Sequence, residues 1–165
     1  SGSMGVLLAT PNSRLKILLT QLLSMLAGIT LLIVLITAIG VGTCEGLFPG
    51  ELDIPLFLKL NGALLLFHLM LGGIAFLPAC IFNDSKWYFS IGAGLLVLFF
   101  LFQMLGNTGG DMEFFRYLTL FTLFPGKNIV DGEGDVLLKC LGMAGAAIVM
   151  YGCGAVCFHK KDLPL

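Results

Sequence analysis

The sequence predicts an all-α membrane protein with four transmembrane helices and a short re-entrant or interfacial helical element before the last one. Four apolar runs carry this prediction, because each has about 19 to 25 residues and roughly 20 helical residues cross the hydrocarbon core of a bilayer. The runs cover residues 17–41, 60–82, 87–105 and 140–158. Composition agrees, since 58% of the 165 residues are hydrophobic and only 12% are charged, against about 25% in a soluble domain. A water-soluble fold is therefore excluded.

The first residues of the chain are not expected to belong to the fold. Residues 1–3 precede Met4 and are typical of residues that an expression vector leaves behind. Residues 4–16 then form a short segment before the membrane, and residues 17–165 form the transmembrane domain. No basic stretch with a short apolar run and a small-residue cleavage site follows Met4. We therefore expect the first apolar run to stay as a membrane anchor rather than to be removed as a signal peptide.

Charge distribution favours a cytoplasmic location for both ends of the chain, because short cytoplasmic loops prefer lysine and arginine. The inner side then carries Arg14, Lys16, Lys86, Lys160 and Lys161. The outer side carries Lys59, Arg116, Lys127 and Lys139, together with every acidic residue except Asp84 and Asp162. Five basic residues against four make this preference small. The formal net charge of -1 favours neither nucleic acid nor a polybasic membrane arm as a partner.

The segments that connect the apolar runs differ in length and composition. Residues 83–86 form a tight polar turn, so the second and third runs should make an antiparallel hairpin. Residues 43–55 are punctuated by glycine and proline and are predicted to be a short connecting loop. Residues 106–135 are longer, and their strongly aromatic middle, residues 114–124, is too short to cross a bilayer. This middle part is typical of a re-entrant or interfacial element, with a functional role or only a packing role.

Ionisable and thiol side chains inside the apolar runs are further candidates for function. His68 lies near the middle of the second run, and an ionisable group at that depth suggests a role in transport. Without an acidic partner it builds neither a proton relay nor a metal site, so a hydrogen bond to a neighbouring helix is the alternative. The five cysteines lack the spacing of zinc and redox motifs and are expected to be packing residues. Cys44 and Cys140, both at outer ends, form the only pair placed for a disulfide.

Catalytic motifs are missing from the sequence. Gly126 and Lys127 form a Gly-Lys pair, but Phe121 stands where a phosphate-binding loop needs its first glycine, and Asn128 stands where it needs serine or threonine. There is no Gly-x-Ser-x-Gly elbow, no His-Glu-x-x-His helix and no pair of intramembrane carboxylates. The sequence therefore predicts no catalytic residue, no metal site and no directly bound cofactor, and it does not predict an enzyme acting by itself.

Three segments resemble a known family of transport proteins. Residues 5–19, Gly-Val-Leu-Leu-Ala-Thr-Pro-Asn-Ser-Arg-Leu-Lys-Ile-Leu-Leu, resemble the cytoplasmic stretch before the third span of type-2 ABC-transporter permeases, which reads Gly-Thr-x-x-Leu-Leu-x-Thr-Pro-x-Ser-Arg. Residues 115–124 are similar to the aromatic segment before the last span of that family, often Tyr-Leu-Ser-Pro-Phe. Residues 158–163, Phe-His-Lys-Lys-Asp-Leu, resemble its closing Phe-x-Arg/Lys-Arg/Lys-Asp-Leu. Leu120 departs from the pattern, because proline is frequent there, and the first two spans of the family have no counterpart in this chain.

The resemblance implies the carboxy-terminal part of an export permease in a bacterial plasma membrane. Such a subunit forms a homodimer or pairs with a similar permease, is surrounded by membrane lipid, and is driven by a separate cytoplasmic ABC ATPase that binds the ATP. Residues 4–16 would then be the end of the coupling region. The residues expected to contact the ATPase are Thr10, Pro11, Ser13 and Arg14. The residues expected to form an exit gate are Tyr117, Phe121 and Phe124.

Two other functional classes are compatible with the same residues. A free-standing four-span scaffold or regulatory protein without transport activity would have this composition too, and dependence on an ATPase separates it from the permease. An intramembrane enzyme is the less supported class, because no nucleophile, acid-base pair or metal constellation occurs. The cargo of a permease is also open. Apolar and aromatic walls suit a lipid, a peptide or a hydrophobic drug, but helix packing requires the same residues.

Overall fold

The predicted all-α membrane fold is confirmed by the structure, a computed structural model that describes residues 14–82, 84–132 and 134–160. The α-helices are α1 (Arg14–Leu47), α2 (Ile54–Ile81), α3 (Ser85–Asn107), α4 (Gly126–Asp131) and α5 (Val136–Lys160). Two 3₁₀ helices, Gly110–Leu118 and Leu120–Leu123, lie between α3 and α4. Within these residues there is no β-strand. Four helices, α1, α2, α3 and α5, are long and apolar enough to cross a membrane, so the chain is an integral membrane protein.

Helices α1, α3 and α5 extend beyond both ends of the apolar runs that predict them, and α2 extends beyond the start of its run. Helix α1 has 34 residues and is about 50 Å long, whereas the hydrocarbon core is about 30 Å thick. Hydropathy marks only the part of a helix that lies among lipid tails, and the helical hydrogen bonds continue into the polar interface. The predicted loop 43–55 is therefore too long, and α1 and α2 leave only residues 48–53 between them. Asp53 ends this loop by accepting a hydrogen bond from the Leu56 amide at 3.0 Å, which caps α2.

The hairpin predicted from residues 83–86 is confirmed. Helix α2 ends at Ile81 and α3 begins at Ser85, with only residues 82–84 between them. The side chain of Asp84 caps α3 by accepting a hydrogen bond from the Lys86 amide at 3.0 Å. Asn83 lies outside the described residues. The short joint forces α2 and α3 to pack side by side in antiparallel directions.

Helix α2 is the centre of the bundle and makes its most extensive contact with α5. Met70 of α2 and Met143 of α5 are fully buried in this contact. Small residues let the two helices approach closely. A Cβ atom added to Gly73 would lie 3.1 Å from Cβ of Met150, and one added to Gly154 would lie 2.9 Å from the ring of Phe76. Lipid gives no hydrophobic drive for association, so this close packing and the hydrogen bond from the Tyr151 hydroxyl to the Leu69 carbonyl oxygen, at 2.8 Å, hold the pair together.

A second contact shows which ends of the helices share one side of the membrane. Leu18 near the start of α1, Phe76 and Cys80 near the end of α2, and Phe158 near the end of α5 form one buried cluster. The start of α1 and the end of α5 therefore lie together, as four alternating spans require. We call this the terminal side, and we call the opposite side, which carries the 3₁₀ helices, the connector side.

Helix α1 is the least buried of the membrane helices. Beyond the cluster at Leu18, α1 approaches α2 closely where Gly40 meets the Phe57 ring and where Ile29 lies against Gly72. Three of its four threonines, Thr20, Thr30 and Thr37, donate their hydroxyl groups to carbonyl oxygens four residues earlier in the same helix, at 2.7 to 2.8 Å. These three hydroxyl groups are satisfied within α1 and need no polar partner among lipids.

The packing at Gly154 gives a test of the α2–α5 contact. Gly154→Val would place methyl groups against the ring of Phe76 and should lower the free energy of unfolding by about 1 to 3 kcal/mol. Gly152→Val is the matched control, because nothing lies within 4 Å of a Cβ atom at that position. Reversible unfolding by dodecyl sulfate in mixed micelles measures both. An equal loss for the two variants would mean that helix propensity, rather than the contact, sets the effect.

Candidate functional site

The candidate site is the aromatic connector, which we define as residues 110–125. It cannot continue α3 as an α-helix, because Gly109 and Gly110 have φ of 81° and 63°, values that side-chain-bearing residues rarely adopt. Thr119 has extended backbone and separates the two 3₁₀ helices. Pro125 is fully buried and precedes α4, which returns the chain towards α5. The connector is thus a helical but irregular element, as the sequence predicts.

The connector enters the bundle rather than lying on its surface. The rings of Phe121 and Phe124 lie 5.1 and 5.4 Å from the ring of Phe67, measured between centroids. Phe67 is about 13 residues, or roughly 20 Å, from the start of α2 at Ile54, which places it at the middle of that helix. Phe121 also approaches Phe100 of α3, at 6.3 Å. The innermost rings therefore reach mid-bundle depth, as expected of a re-entrant element.

Thr119 satisfies the backbone polar groups at the innermost turn. Its side chain is almost fully buried, and its hydroxyl donates to the carbonyl oxygen of Phe99 in α3 at 3.0 Å. The hydroxyl oxygen of Thr119 also accepts a hydrogen bond from the Phe121 amide, at 3.2 Å. The Phe124 amide donates to the Phe121 carbonyl at 3.1 Å. Irregular backbone is stable at membrane depth only when its groups are bonded in this way, so one hydroxyl both closes the turn and fixes it to α3.

The outer part of the connector rests on the end of α3. A Cβ atom at Gly106 would lie 2.5 Å from Cγ and 2.9 Å from the backbone nitrogen of Arg116, so only glycine permits this approach. The Arg116 guanidinium donates to Oδ1 of Asn107 from Nε and Nη2, at 3.3 and 3.0 Å. Its ion pair with Glu113, at 3.7 Å, is exposed and contributes little. The Thr122 hydroxyl is shared between the Arg116 carbonyl and Oε1 of Gln103.

Helix α4 is tied to the start of α5 by one polar contact. Nζ of Lys139, which the charge distribution assigns to the outer side, donates to Oδ1 of Asn128 at 3.1 Å. Gly132 ends α4 in the left-handed conformation, with φ of 68°. The chain therefore leaves the connector through a fixed turn before it crosses the membrane again.

The structure brings together two of the three residues expected to form an exit gate. Phe121 and Phe124 share the Phe67 ring, whereas the side chain of Tyr117 is 81% exposed and stands apart from them. For the expected ATPase contacts, Thr10, Pro11 and Ser13 lie outside the described residues. Arg14 is the first residue of α1, and its side chain also lies outside them.

His68 is bonded within its own helix. Its Nδ1 atom lies 2.9 Å from the carbonyl oxygen of Leu64, four residues earlier, and a carbonyl only accepts, so Nδ1 carries the proton. The sequence suggests a hydrogen bond from His68 to a neighbouring helix, but Nδ1 bonds within α2 instead. The imidazole also meets the neighbouring Phe67 ring edge-on, with centroids 6.0 Å apart. His68 is thus next to the aromatic cluster but is held by α2.

Thiol and metal-binding groups form no site in the part of the chain that the structure describes. Cys44 and Cys140 are free thiols, so the one disulfide that the sequence allows is not formed. Cys80, Cys153 and Cys157 form no disulfide either. Among residues 14–82, 84–132 and 134–160, no group of three or more His, Cys, Asp and Glu residues lies close enough together to hold a metal ion.

Comparison of this chain with known protein families, with curated proteins and with solved structures gives no match. Functional inference therefore depends on the connector itself and on the sequence motifs. Three residues that hold the connector in place are not predicted from the sequence: Phe67, Gly106 and Thr119. For Thr119, the sequence does contain one indication. A threonine inside an aromatic run that is too short to span needs a hydrogen-bond partner, because its side chain is polar at that depth.

Removing the Thr119 hydroxyl should loosen the connector. Thr119→Val keeps the shape of the side chain but leaves the Phe121 amide without its acceptor, at a local cost of about 1 to 3 kcal/mol. Amide hydrogen exchange of residues 120–124 should become faster by about tenfold. Thr30→Val, which removes a hydroxyl bonded within α1, should leave this exchange unchanged. Unchanged exchange in Thr119→Val would contradict the role of this hydroxyl.

Adding one methyl group at Gly106 should displace the connector from α3. Alanine normally stabilises a helix by roughly 0.5 to 1 kcal/mol relative to glycine, but at Gly106 its Cβ atom would meet Arg116. Gly106→Ala should therefore lower thermal stability and speed hydrogen exchange of residues 112–118. Gly94→Ala on the same helix, where nothing lies within 4 Å, should raise stability or leave it unchanged. A Gly106→Ala variant as stable as Gly94→Ala would show that the close approach is not required.

Proposed function

We propose that this chain is a membrane-spanning permease subunit of an ATP-driven ABC exporter, with ATP hydrolysed by a separate cytoplasmic subunit. The observation that carries the proposal is the re-entrant aromatic connector, which enters the bundle on the connector side immediately before the last span. The motifs at residues 5–19, 115–124 and 158–163 support the same family. In this proposal the chain corresponds to the last four spans of such a permease and works as a homodimer or beside a similar permease.

The proposed orientation puts both ends of the chain in the cytoplasm of a bacterium and the connector outside. Helices α1 and α5 have their chain ends on the same side, and α1 begins with the basic residue Arg14. The ATPase would dock on residues 4–16 on that side. The connector, on the opposite side, would then lie where cargo leaves the membrane domain.

The contacts of the connector suit an exit gate. Its rings touch both α2 and α3, so a change in the spacing of these helices would move Phe121 directly. The 3₁₀ helices have poorer hydrogen-bond geometry than an α-helix, which makes the segment easier to open than the spans around it. In the proposed mechanism, ATP-driven motion of the spans separates Phe121 and Phe124 from Phe67, and their return closes the path behind the cargo.

A free-standing four-span scaffold or regulatory protein is the second candidate. One observation favours it: in the described residues every buried side-chain nitrogen and oxygen has a hydrogen-bond partner, so the four helices need no further polar contact to be stable. Association with an ATPase separates the two candidates, since a scaffold of this kind would not couple to ATP hydrolysis.

The coupling proposal is tested without knowing the cargo. Full-length protein purified from its native membrane should carry an ABC ATPase with it. Arg14→Glu should lower the ATP turnover of that complex several-fold, because it reverses the charge at the start of α1. Lys59→Glu, the same reversal at an exposed position on the connector side, should have no such effect. Absence of any ATPase from the native complex would favour the scaffold.

The gate proposal is tested by leakage from proteoliposomes loaded with a small dye. Phe121→Ala removes a ring that packs on Phe67 and Phe100 and should increase leakage, whereas Phe114→Ala changes an exposed ring of the same connector and should not. Thermal stability of both variants shows whether the bundle still folds. Equal leakage from folded Phe121→Ala and from the unmodified protein would contradict the gate role of the connector. The permease proposal would then depend on the test of ATPase coupling.

A further inference from the structure

An open cleft of about 470 Å³ lies on the terminal side of the bundle, away from the connector. Its walls come from the first turns of α1, the last turns of α2, the start of α3 and the end of α5. The lining residues are Ile17, Leu18, Gln21, Met25, Ala75, Phe76, Ala79, Cys80, Tyr88 and Phe158. The volume falls within the range of about 300 to 1,000 Å³ that holds small ligands.

The walls of the cleft are suited to a hydrocarbon chain. Nearly all the lining side chains are apolar, and the two alanines of α2 leave room where larger residues would fill the space. The cleft also follows the helices inward from the membrane surface, since Leu18 lies only four residues from the start of α1 and Met25 lies about two turns deeper. An acyl chain that enters along α1 would therefore run parallel to its neighbours in the leaflet.

The mouth of the cleft carries positive charge and an interfacial aromatic residue. Lys16 is exposed and directly precedes the lining residue Ile17. Lys86 is exposed and lies two residues before the lining residue Tyr88, with the exposed Trp87 between them. Tryptophan at such a position marks headgroup depth. Among the described residues beside this mouth, Asp84 is acidic; its carboxylate accepts the Lys86 amide hydrogen bond that caps α3, and the two lysines outnumber it.

We propose that this cleft binds one anionic phospholipid of the surrounding leaflet. The acyl chain lies against Met25, Ala75 and Ala79, and the phosphate lies at the membrane surface between Lys16 and Lys86. Basic residues at the mouth of an apolar groove between membrane helices select anionic headgroups, and each one near the surface adds to the attraction. The lipid would join α1, which has few contacts of its own, to α2 and α5. This proposal does not depend on the permease function.

Native mass spectrometry of the full chain tests the proposal. Protein is released from bilayers that contain equal amounts of phosphatidylglycerol and phosphatidylcholine, and the first lipid retained is identified. Phosphatidylglycerol should exceed phosphatidylcholine by about tenfold in that position. Equal retention of the two lipids would overturn the selection of an anionic headgroup. A tightly retained peptide in place of lipid would overturn the proposal itself.

Two pairs of variants separate the headgroup from the acyl chain. Lys16→Gln with Lys86→Gln should remove the preference for phosphatidylglycerol, while Lys59→Gln with Lys127→Gln, exposed lysines on the connector side, should keep it. Ala79→Phe fills the cleft and should abolish retention of the first lipid of either kind, while Ala38→Phe, at an exposed position of α1, should not. If Ala79→Phe fails to fold, the variant with Lys16→Gln and Lys86→Gln still tests the headgroup selection, and an unchanged preference for phosphatidylglycerol in it would overturn the proposal. Loss of preference in both lysine pairs would show general charge attraction and overturn a specific site.

Discussion

Backbone groups at membrane depth have no water to bond, and this constraint determines where the chain is allowed to be irregular. The spans meet it through their own helical hydrogen bonds. The connector cannot, because glycines and an extended residue interrupt its helix, and so it depends on Thr119 for a bond to α3 and a closed inner turn. Phe121 and Phe124 are able to reach the Phe67 ring only because that turn is satisfied. The position of the candidate gate thus follows from one hydroxyl group.

Close approach of helices is the second requirement, and glycine supplies it at distinct points. Gly73 and Gly154 allow α2 and α5 to meet, and Gly106 allows Arg116 of the connector to lie on α3. The polar contacts around Arg116 are exposed and weak by comparison, so the shape of the backbone holds the connector more than its charges do. The bundle is therefore sensitive to small increases in side-chain volume at a few sites and tolerant elsewhere.

Hydropathy predicts the number of spans, the hairpin at 83–86 and a re-entrant element around 114–124, because each depends on local composition. The helix ends are less predictable, since hydrogen bonds continue beyond the apolar residues, as α1 shows by reaching Leu47. Contacts between distant residues are not visible in one sequence. Nothing near Thr119 identifies the carbonyl of Phe99, and nothing near Phe67 shows that the connector covers it. Likewise, the apolar patterns of α1 and α2 do not reveal that a cleft opens between them.

The length of α1 has a consequence for how the protein responds to the bilayer itself. A helix of about 50 Å in a hydrocarbon layer of about 30 Å must tilt or extend into the interface, and the balance changes with lipid thickness. Its close contacts with α2, at Gly40 and Ile29, lie towards the connector side and the middle of the helix. At the opposite end, Leu18 packs in the buried cluster with Phe76 and Phe158, and the cleft lies beside this cluster. Because a thinner or thicker membrane changes the tilt of α1, elastic deformation of the bilayer should shift this end of the helix and change the width of the cleft.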